Sequence, residues 1–250
     1  MNLTYMWAVY ARELMRFRKL WMDTLFTPIV SMGLYLAVFG VVSSGQQVGG
    51  IEYLAFVYTG LLTMTMVNSS FSNPAFALVI ARNMGTLIDL QMAPIAPWRI
   101  GLAYSMAALT RGLITLAVGI TATIWFVPLR SIAHPLLLLL ALVSTGLLFG
   151  FLGVIFGMRA KNFEALTFVT SFVLQPMIFL AGVFYPIAQL PGIWATISQF
   201  NPMHHVVNLV RFSATGYSDA SPMLSFGIVI GATLIAGVAM HFVTQKSLKA

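Results

Sequence analysis

The groups able to do acid–base or metal chemistry are few: 6 Asp and Glu and 4 His among 250 residues. They form no catalytic pattern. There is no H-E-x-x-H, no G-x-S-x-G and no pair of carboxylates inside an apolar run. There is no G-x-x-x-x-G-K-[ST] either, so the chain does not itself cradle the phosphates of ATP. It lacks cysteine, which closes the disulfide and thiolate-metal readings. His204 and His205 are adjacent, and adjacent helical positions point apart. They read as a polar pair at a helix start, not as a shared metal site. His134, before Pro135, and His241 read as interfacial residues. Arg111 stands inside an apolar run, where a charge costs about 2.5–3.5 kcal/mol. It is either a functional intramembrane charge or an arginine that snorkels or pairs between helices.

Two short polar segments carry more information. Residues 81–101 read ARNMGTLIDLQMAPIAPWRIG. The pattern predicts a short helix over Thr86–Met92, ended by Pro94 and Pro97. Arg82, Asp89 and Arg99 mark it as polar, yet Leu87, Ile88 and Leu90 need a cover. Either the membrane surface or a soluble partner supplies one. Residues 158–164, MRAKNFE, form a second short turn. Glu164 there complements a positive helix N-terminus, or joins Asp89 in contacting the same partner.

The elements that position these segments are transmembrane helices. The chain is 59% apolar and 8% charged, with mean hydropathy +0.91, where a soluble domain carries about 25% charged residues. One membrane domain fills residues 1–250, with no room for a soluble catalytic domain. The net charge of +7 flanks apolar runs and forms no free basic face, so nucleic acid is not expected as a partner. The predicted fold is an all-α integral membrane protein. Residues 1–20 form an interfacial amphipathic helix, with Leu3, Trp7, Tyr10, Leu14 and Phe17 at helical spacing and Arg12, Arg16 and Lys19 on another face. The alternative is a basic flank before the first span. Six spans follow, at 21–42, 53–77, 100–126, 135–157, 165–185 and 222–243.

Arg12, Arg16, Arg18, Lys19, Arg82, Arg99, Arg159, Lys161, Lys246 and Lys249 gather on one side, against Arg130 and Arg211 on the other. The positive side is cytoplasmic, so both termini are inside. Residues 81–99 then form a cytoplasmic segment. From Ala165 to Val210 no side chain is charged, but Pro186, Pro191 and Pro202 break the run. A span over 165–185 is expected, then an external re-entrant segment, 186–217, with short helices near 192–200 and 203–214.

In this order, the segments resemble the permease subunit of type-2 ABC exporters over nearly the whole chain. The first motif stands as Arg82, Gly85-Thr86-Leu87, Leu90 and Pro94. The second stands as Asn162-Phe163-Glu164, Pro176, Phe179, Gly182-Val183-Phe184-Tyr185-Pro186, Leu190-Pro191, Asn201-Pro202, Arg211 and Gly216. The resemblance implies a permease dimer, most simply of two identical copies, docked on two copies of a separate ATP-binding subunit. ATP and magnesium would be bound by that partner, with no cofactor on this chain. Arg82, Gly85, Thr86, Leu87, Ile88, Asp89, Pro94 and Glu164 would form the coupling contact. Tyr185, Pro186, Pro191, Asn201 and Pro202 would belong to the outer gate. The implied location is the bacterial inner membrane. Tyr35, Phe39, Phe172, Phe179, Phe184 and Tyr185 suit a path for amphipathic cargo: a lipid, a lipid-linked glycan or a hydrophobic drug. A secondary transporter and a lipid-modifying membrane enzyme are the competing classes; they want more mid-span charge or clustered His, Asp and Glu.

Overall fold

The computed structural model describes residues 2–19, 21–42, 45–127 and 132–249; Arg130, read above as an outer charge, lies outside them. The order is α1 (Asn2–Lys19), a π-turn at Met22–Phe26 leading into α2 (Thr27–Val42), and a two-stranded hairpin of β1 (Gln47–Val48) and β2 (Ile51–Glu52). Then come α3 (Tyr53–Asn83), α4 (Leu87–Met92), α5 (Pro97–Thr123) and α6 (Pro135–Arg159). A broken helix follows: α7 (Phe163–Val169), a π-turn (Thr170–Leu174) and α8 (Gln175–Phe179). The chain closes with α9 (Ile193–Phe200), α10 (Pro202–Thr215) and α11 (Pro222–Lys249).

Among the described residues, four helices are long and apolar enough to cross a membrane: α3, α5 with its 3₁₀ extension to Phe126, α6, and α11. Thr27–Val41 and Phe163–Phe179 are shorter apolar helices. The protein is thus an all-α protein built around membrane-crossing helices.

The core is α3 packed on α6 and α5, with α11 against α6 and α10 inserted among them. Glycines let α6 approach so closely. A Cβ on Gly153 would lie 2.3 Å from the Phe71 carbonyl, and one on Gly157 would lie 2.8 Å from that of Ala75. Small residues at this spacing are how helices meet in lipid, where no hydrophobic force draws them together. Gly153→Leu is therefore expected to force α6 off α3. The loss should be about 1–3 kcal/mol, as for overpacking in a closed core, read as a lower melting midpoint of the detergent-purified protein.

Two elements depart from expectation in length. The second helix runs to Asn83, beyond residue 77, with Pro74 inside it. At 31 residues it is about 46 Å long, against a bilayer core of about 30 Å. It is therefore longer than the apolar layer is thick, and α4 follows directly on its C-terminal end. The fifth helix stops at Phe179, not at 185. The chain turns there through Gly182, whose φ of +78° suits glycine alone. The Gly182 carbonyl, which Pro186 four residues on cannot serve, accepts from another donor, described next.

Candidate functional site

The donor is Arg211. α10 starts at Asn201, whose side-chain oxygen accepts from the Met203 amide while its Nδ2 donates to the Met177 carbonyl at 2.7 Å. This cap fixes α10 to α8 and aims the last turn of α10 inward. Arg211 is 0% exposed. Its Nη2 donates to the Gly182 carbonyl at 2.8 Å, and its Nη1 reaches Asp219 Oδ2 at 3.2 Å. Its guanidinium lies 3.6 Å from the centroid of the Phe56 ring on α3, a cation–π contact made strong by exclusion of water. Tyr217 donates to the second Asp219 oxygen at 2.8 Å. Burial and that hydrogen bond push the Tyr217 hydroxyl up to about 12, so it remains a donor at neutral pH. Asn208 completes the knot. Its oxygen accepts from the Asp219 amide and its nitrogen donates to Ser225 of α11.

One buried cation thus ties α3, the 180–185 turn, α10 and the loop before α11, and Asn208 adds α11 itself. In the sequence Arg211 stands as an outer-side charge and as a residue of the second motif, with no sign of its burial. The usable signal was an isolated arginine eight residues before an isolated aspartate, at the end of a long charge-free run.

Around this knot the aromatics gather. Phe184 stacks on Phe39 at 5.2 Å and lies 5.4 Å from Tyr35 and 5.9 Å from Phe179. Tyr185 donates to the Phe179 carbonyl, and Tyr53 to that of Phe184. Of the six aromatics singled out from sequence, Phe172 stands apart, exposed and stacked on Phe168. Pro186 opens a single 3₁₀ turn, Ile187–Gln189. Pro191 precedes Gly192, from which α9 starts with Ile193, Trp194 and Phe200 exposed.

Below the aromatic collar, a cleft of about 200 Å³ opens between α2 and α3. Ser31, Thr65, Asn68 and Ser69 line it with hydroxyls and an amide but no charge. Gln175 reaches Asn68 from across the cleft at 3.5 Å. Sequence reading missed this stripe because isolated Ser, Thr and Asn residues leave a helix apolar on average.

At the opposite end of α3, Arg82 bonds the Met158 and Ala160 carbonyls, the last of α6. It caps a helix C-terminus, a favourable place for a cation. Gly85 turns the chain at φ +74°, and Thr86 bonds the Ala81 carbonyl. These residues shape the shoulder that holds α4. The expectation that the membrane surface or a partner covers Leu87, Ile88 and Leu90 is corrected for two of them: the bundle itself buries Leu90, and Leu87 packs against the core beside it and Ile95. A helix of this length presents one outer edge, and Ile88 and Met92 occupy it, with Met84 exposed in the turn before it. Asp89 and Pro94 are exposed beside them, and Glu164 is exposed in the first turn of α7.

Arg111 donates to Asn73 on α3 at 2.7 Å, with the Phe17 ring of α1 5.5 Å away. Asn73 lies 20 residues beyond Tyr53, about 30 Å along α3. Arg111 therefore stands at the level where α1 crosses α5. Glu13, 3% exposed, pairs there with Arg16 at 3.2 Å, and Arg12 bonds Tyr104. Arg111 pairs between helices, with Asn73 of α3 and beside α1.

A family model described as "ABC-2 type transporter" matches residues 4–215. The chain is 30% identical over 226 residues to the inner membrane transport permease YadH of Escherichia coli (strain K12), covering 89% of this chain and 88% of that protein. It is 27% identical over 249 residues to Nodulation protein J of Rhizobium meliloti (strain 1021), covering 97% and 92%. A second Nodulation protein J, from Sinorhizobium fredii, is 28% identical over 82% of this chain and 79% of its own.

Proposed function

Because the chain belongs to the ABC-2 type transporter family, and so is a membrane subunit that is non-catalytic by itself and partners with an ABC-type ATP-binding subunit, we propose that it is the permease of an exporter for amphipathic cargo. It crosses the inner membrane six times, α2 and α7–α8 being the shorter crossings. Both termini lie in the cytoplasm, with α9 and α10 at the outer face. Two copies of the chain pair, and each seats α4 on one ATP-binding subunit, which holds the ATP and magnesium. The permease pair carries no cofactor.

The observation that carries the reading is the apolar outer edge of α4. Met84, Ile88 and Met92 stand exposed on the end of the bundle where the basic residues collect. A partner that grips that edge pulls on α3 directly and on α6 through Arg82. Motion of packed helices as units then opens a path at the far end.

The path runs along the uncharged stripe of Ser31, Thr65, Asn68, Ser69 and Gln175. The aromatic collar closes its top, with Tyr185, Pro186, Pro191, Asn201 and Pro202 in the frame of the gate. Hydroxyls and amides without charge suit a neutral, hydroxyl-bearing head, and the lipid-facing sides suit its chain. The cargo is accordingly a lipid-linked glycan or similar glycolipid.

The test is reconstitution with the ATP-binding subunit in liposomes, following a fluorescent lipid-linked disaccharide between leaflets. Movement is expected only with both subunits and ATP. Movement by the permease alone, or driven by an ion gradient, would overturn the reading.

A further inference from the structure

Glycines seat α6 against its neighbours along its second half. A Cβ on Gly146 would lie 2.5 Å from the Leu109 side chain of α5, and one on Gly150 would lie 3.1 Å from the Ser105 carbonyl. Before Gly146 the helix has no glycine: residues 135–145 read PLLLLLALVST. At that end a pocket of about 160 Å³ remains between α3, α5, α6 and α10.

Its wall grades from closed to open. At the back stand Tyr58, Leu116 and Val210, which are 0%, 4% and 2% exposed. At the mouth stand Ile124 and Ile132, which are 45% and 54% exposed. Tyr58 is the one polar side chain in the wall among the described residues. Its hydroxyl meets that of Thr123 at 3.1 Å, and Thr123 donates its own proton to the Gly119 carbonyl. The Tyr58 proton is therefore committed to Thr123.

Polarity, size and setting choose the occupant. Water finds too little to hold it, since a buried water needs roughly 2–4 polar partners. A bulky compound does not fit, since small-molecule sites begin at about 300 Å³. A dry cavity of about 150 Å³ lined by Leu and Ile takes up benzene, so the room here suits a slim apolar group of a few carbons. Three of the four surrounding helices, α3, α5 and α6, are long and apolar enough to cross a membrane. The material at hand around such helices is hydrocarbon. Left unfilled, the pocket would forfeit the dispersion contacts of its lining.

We propose that this pocket binds the last few carbons of one acyl chain of a membrane phospholipid. The chain enters between Ile124 and Ile132 and ends against Tyr58. It fills the gap that α6 leaves where its glycines stop. It also braces α10 at Val210 and Ala214, which flank Arg211. The site lies apart from the cleft between α2 and α3. It goes beyond the exporter reading and stands without it, because it needs only helices that cross a membrane.

The probes are two photoreactive phosphatidylcholines, alike except that the diazirine sits at the chain terminus in one and beside the ester in the other. The permease with its ATP-binding subunit is placed in phosphatidylcholine nanodiscs doped with either lipid and irradiated. Labelled residues are mapped by mass spectrometry. Leu234, Ile235 and Val238, exposed on α11, report ordinary lipid contact. Tyr58 is expected to be labelled by the terminal diazirine and not by the ester-proximal one. Ile132→Trp, which narrows the mouth from an exposed position, should cut the Tyr58 label about tenfold, the scale of an overpacked site. The α11 label should not change. Ile124→Trp acts from the other rim in the same way, and serves if the first variant fails to co-elute with the ATP-binding subunit.

An unlabelled Tyr58 beside a labelled α11 would overturn the site. So would equal labelling of Tyr58 by the two lipids, or full Tyr58 labelling in a co-eluting rim variant.

Discussion

Arg211→Met is expected to be the most damaging single substitution in the chain. It strands Asp219, whose side chain is 6% exposed and whose cation is gone. Breaking a buried ion pair from one side costs about 3–5 kcal/mol, because the remaining charge is left uncompensated. The Gly182 carbonyl also loses its 2.8 Å donor, at a further cost of about 1–3 kcal/mol. The protein should fail to accumulate in the membrane, or melt far below the parent in detergent.

Two further variants separate charge from geometry. Arg211→Lys keeps the cation, but a single ammonium lacks the planar fork that serves Asp219 and Gly182 together. Its melting midpoint should fall between the parent and the methionine variant. Arg211→Met combined with Asp219→Leu removes the stranded carboxylate and should recover part of the loss, since replacing both partners of a buried pair by apolar groups is often nearly neutral. A midpoint for Arg211→Met equal to the parent would show that the knot does not hold the far end of the bundle.

Local order was legible in the sequence where prolines and capping residues punctuate it. The short helices expected near 192–200, 203–214 and 86–92 stand at Ile193–Phe200, Pro202–Thr215 and Leu87–Met92. Proline disfavours the interior of a helix, although α3 accommodates Pro74, and favours its first turn, so these boundaries are written in one or two residues. What was not legible depends on distant partners. The fifth span stops early at the turn through Gly182, whose carbonyl is bound by Arg211, 29 residues further on. The periodicity of α1 identified an apolar edge, and Leu3 and Trp7 are exposed on it. It gave no sign that Glu13 turns inward against α5. Leu87 and Ile88 look alike in sequence, and only the placement of α4 on its shoulder decides which faces out. A hydrophobic pattern names the side of a helix that wants covering. It does not say whether the rest of the chain or another molecule covers it.

That distinction makes α4 the second decisive test. A helix of 6 residues has no stability of its own, since nucleation alone exceeds what its hydrogen bonds return. It is held by Leu90 and Ile95 in the core, by the Gly85 turn and by Arg82 at the end of α6. The inner edge is therefore structural and the outer edge is free: Ile88 is 59% and Met92 81% exposed. If the ATP-binding subunit covers that edge, a charge at either position is buried without a partner on docking.

Ile88→Asp and Met92→Asp are each expected to cost about 2 kcal/mol or more of association, the scale of an interface hot spot, which is about thirtyfold in affinity. Co-purification of the ATP-binding subunit should be lost while the melting midpoint of the permease stays at the parent value. Leu87→Asp should do the reverse in order of cause: the midpoint falls first, because that side chain packs on the bundle. Retention of the ATP-binding subunit by the Ile88→Asp, Met92→Asp double variant would mean that the force enters the bundle elsewhere. The exposed Glu164 turn would then be the next surface to charge-reverse.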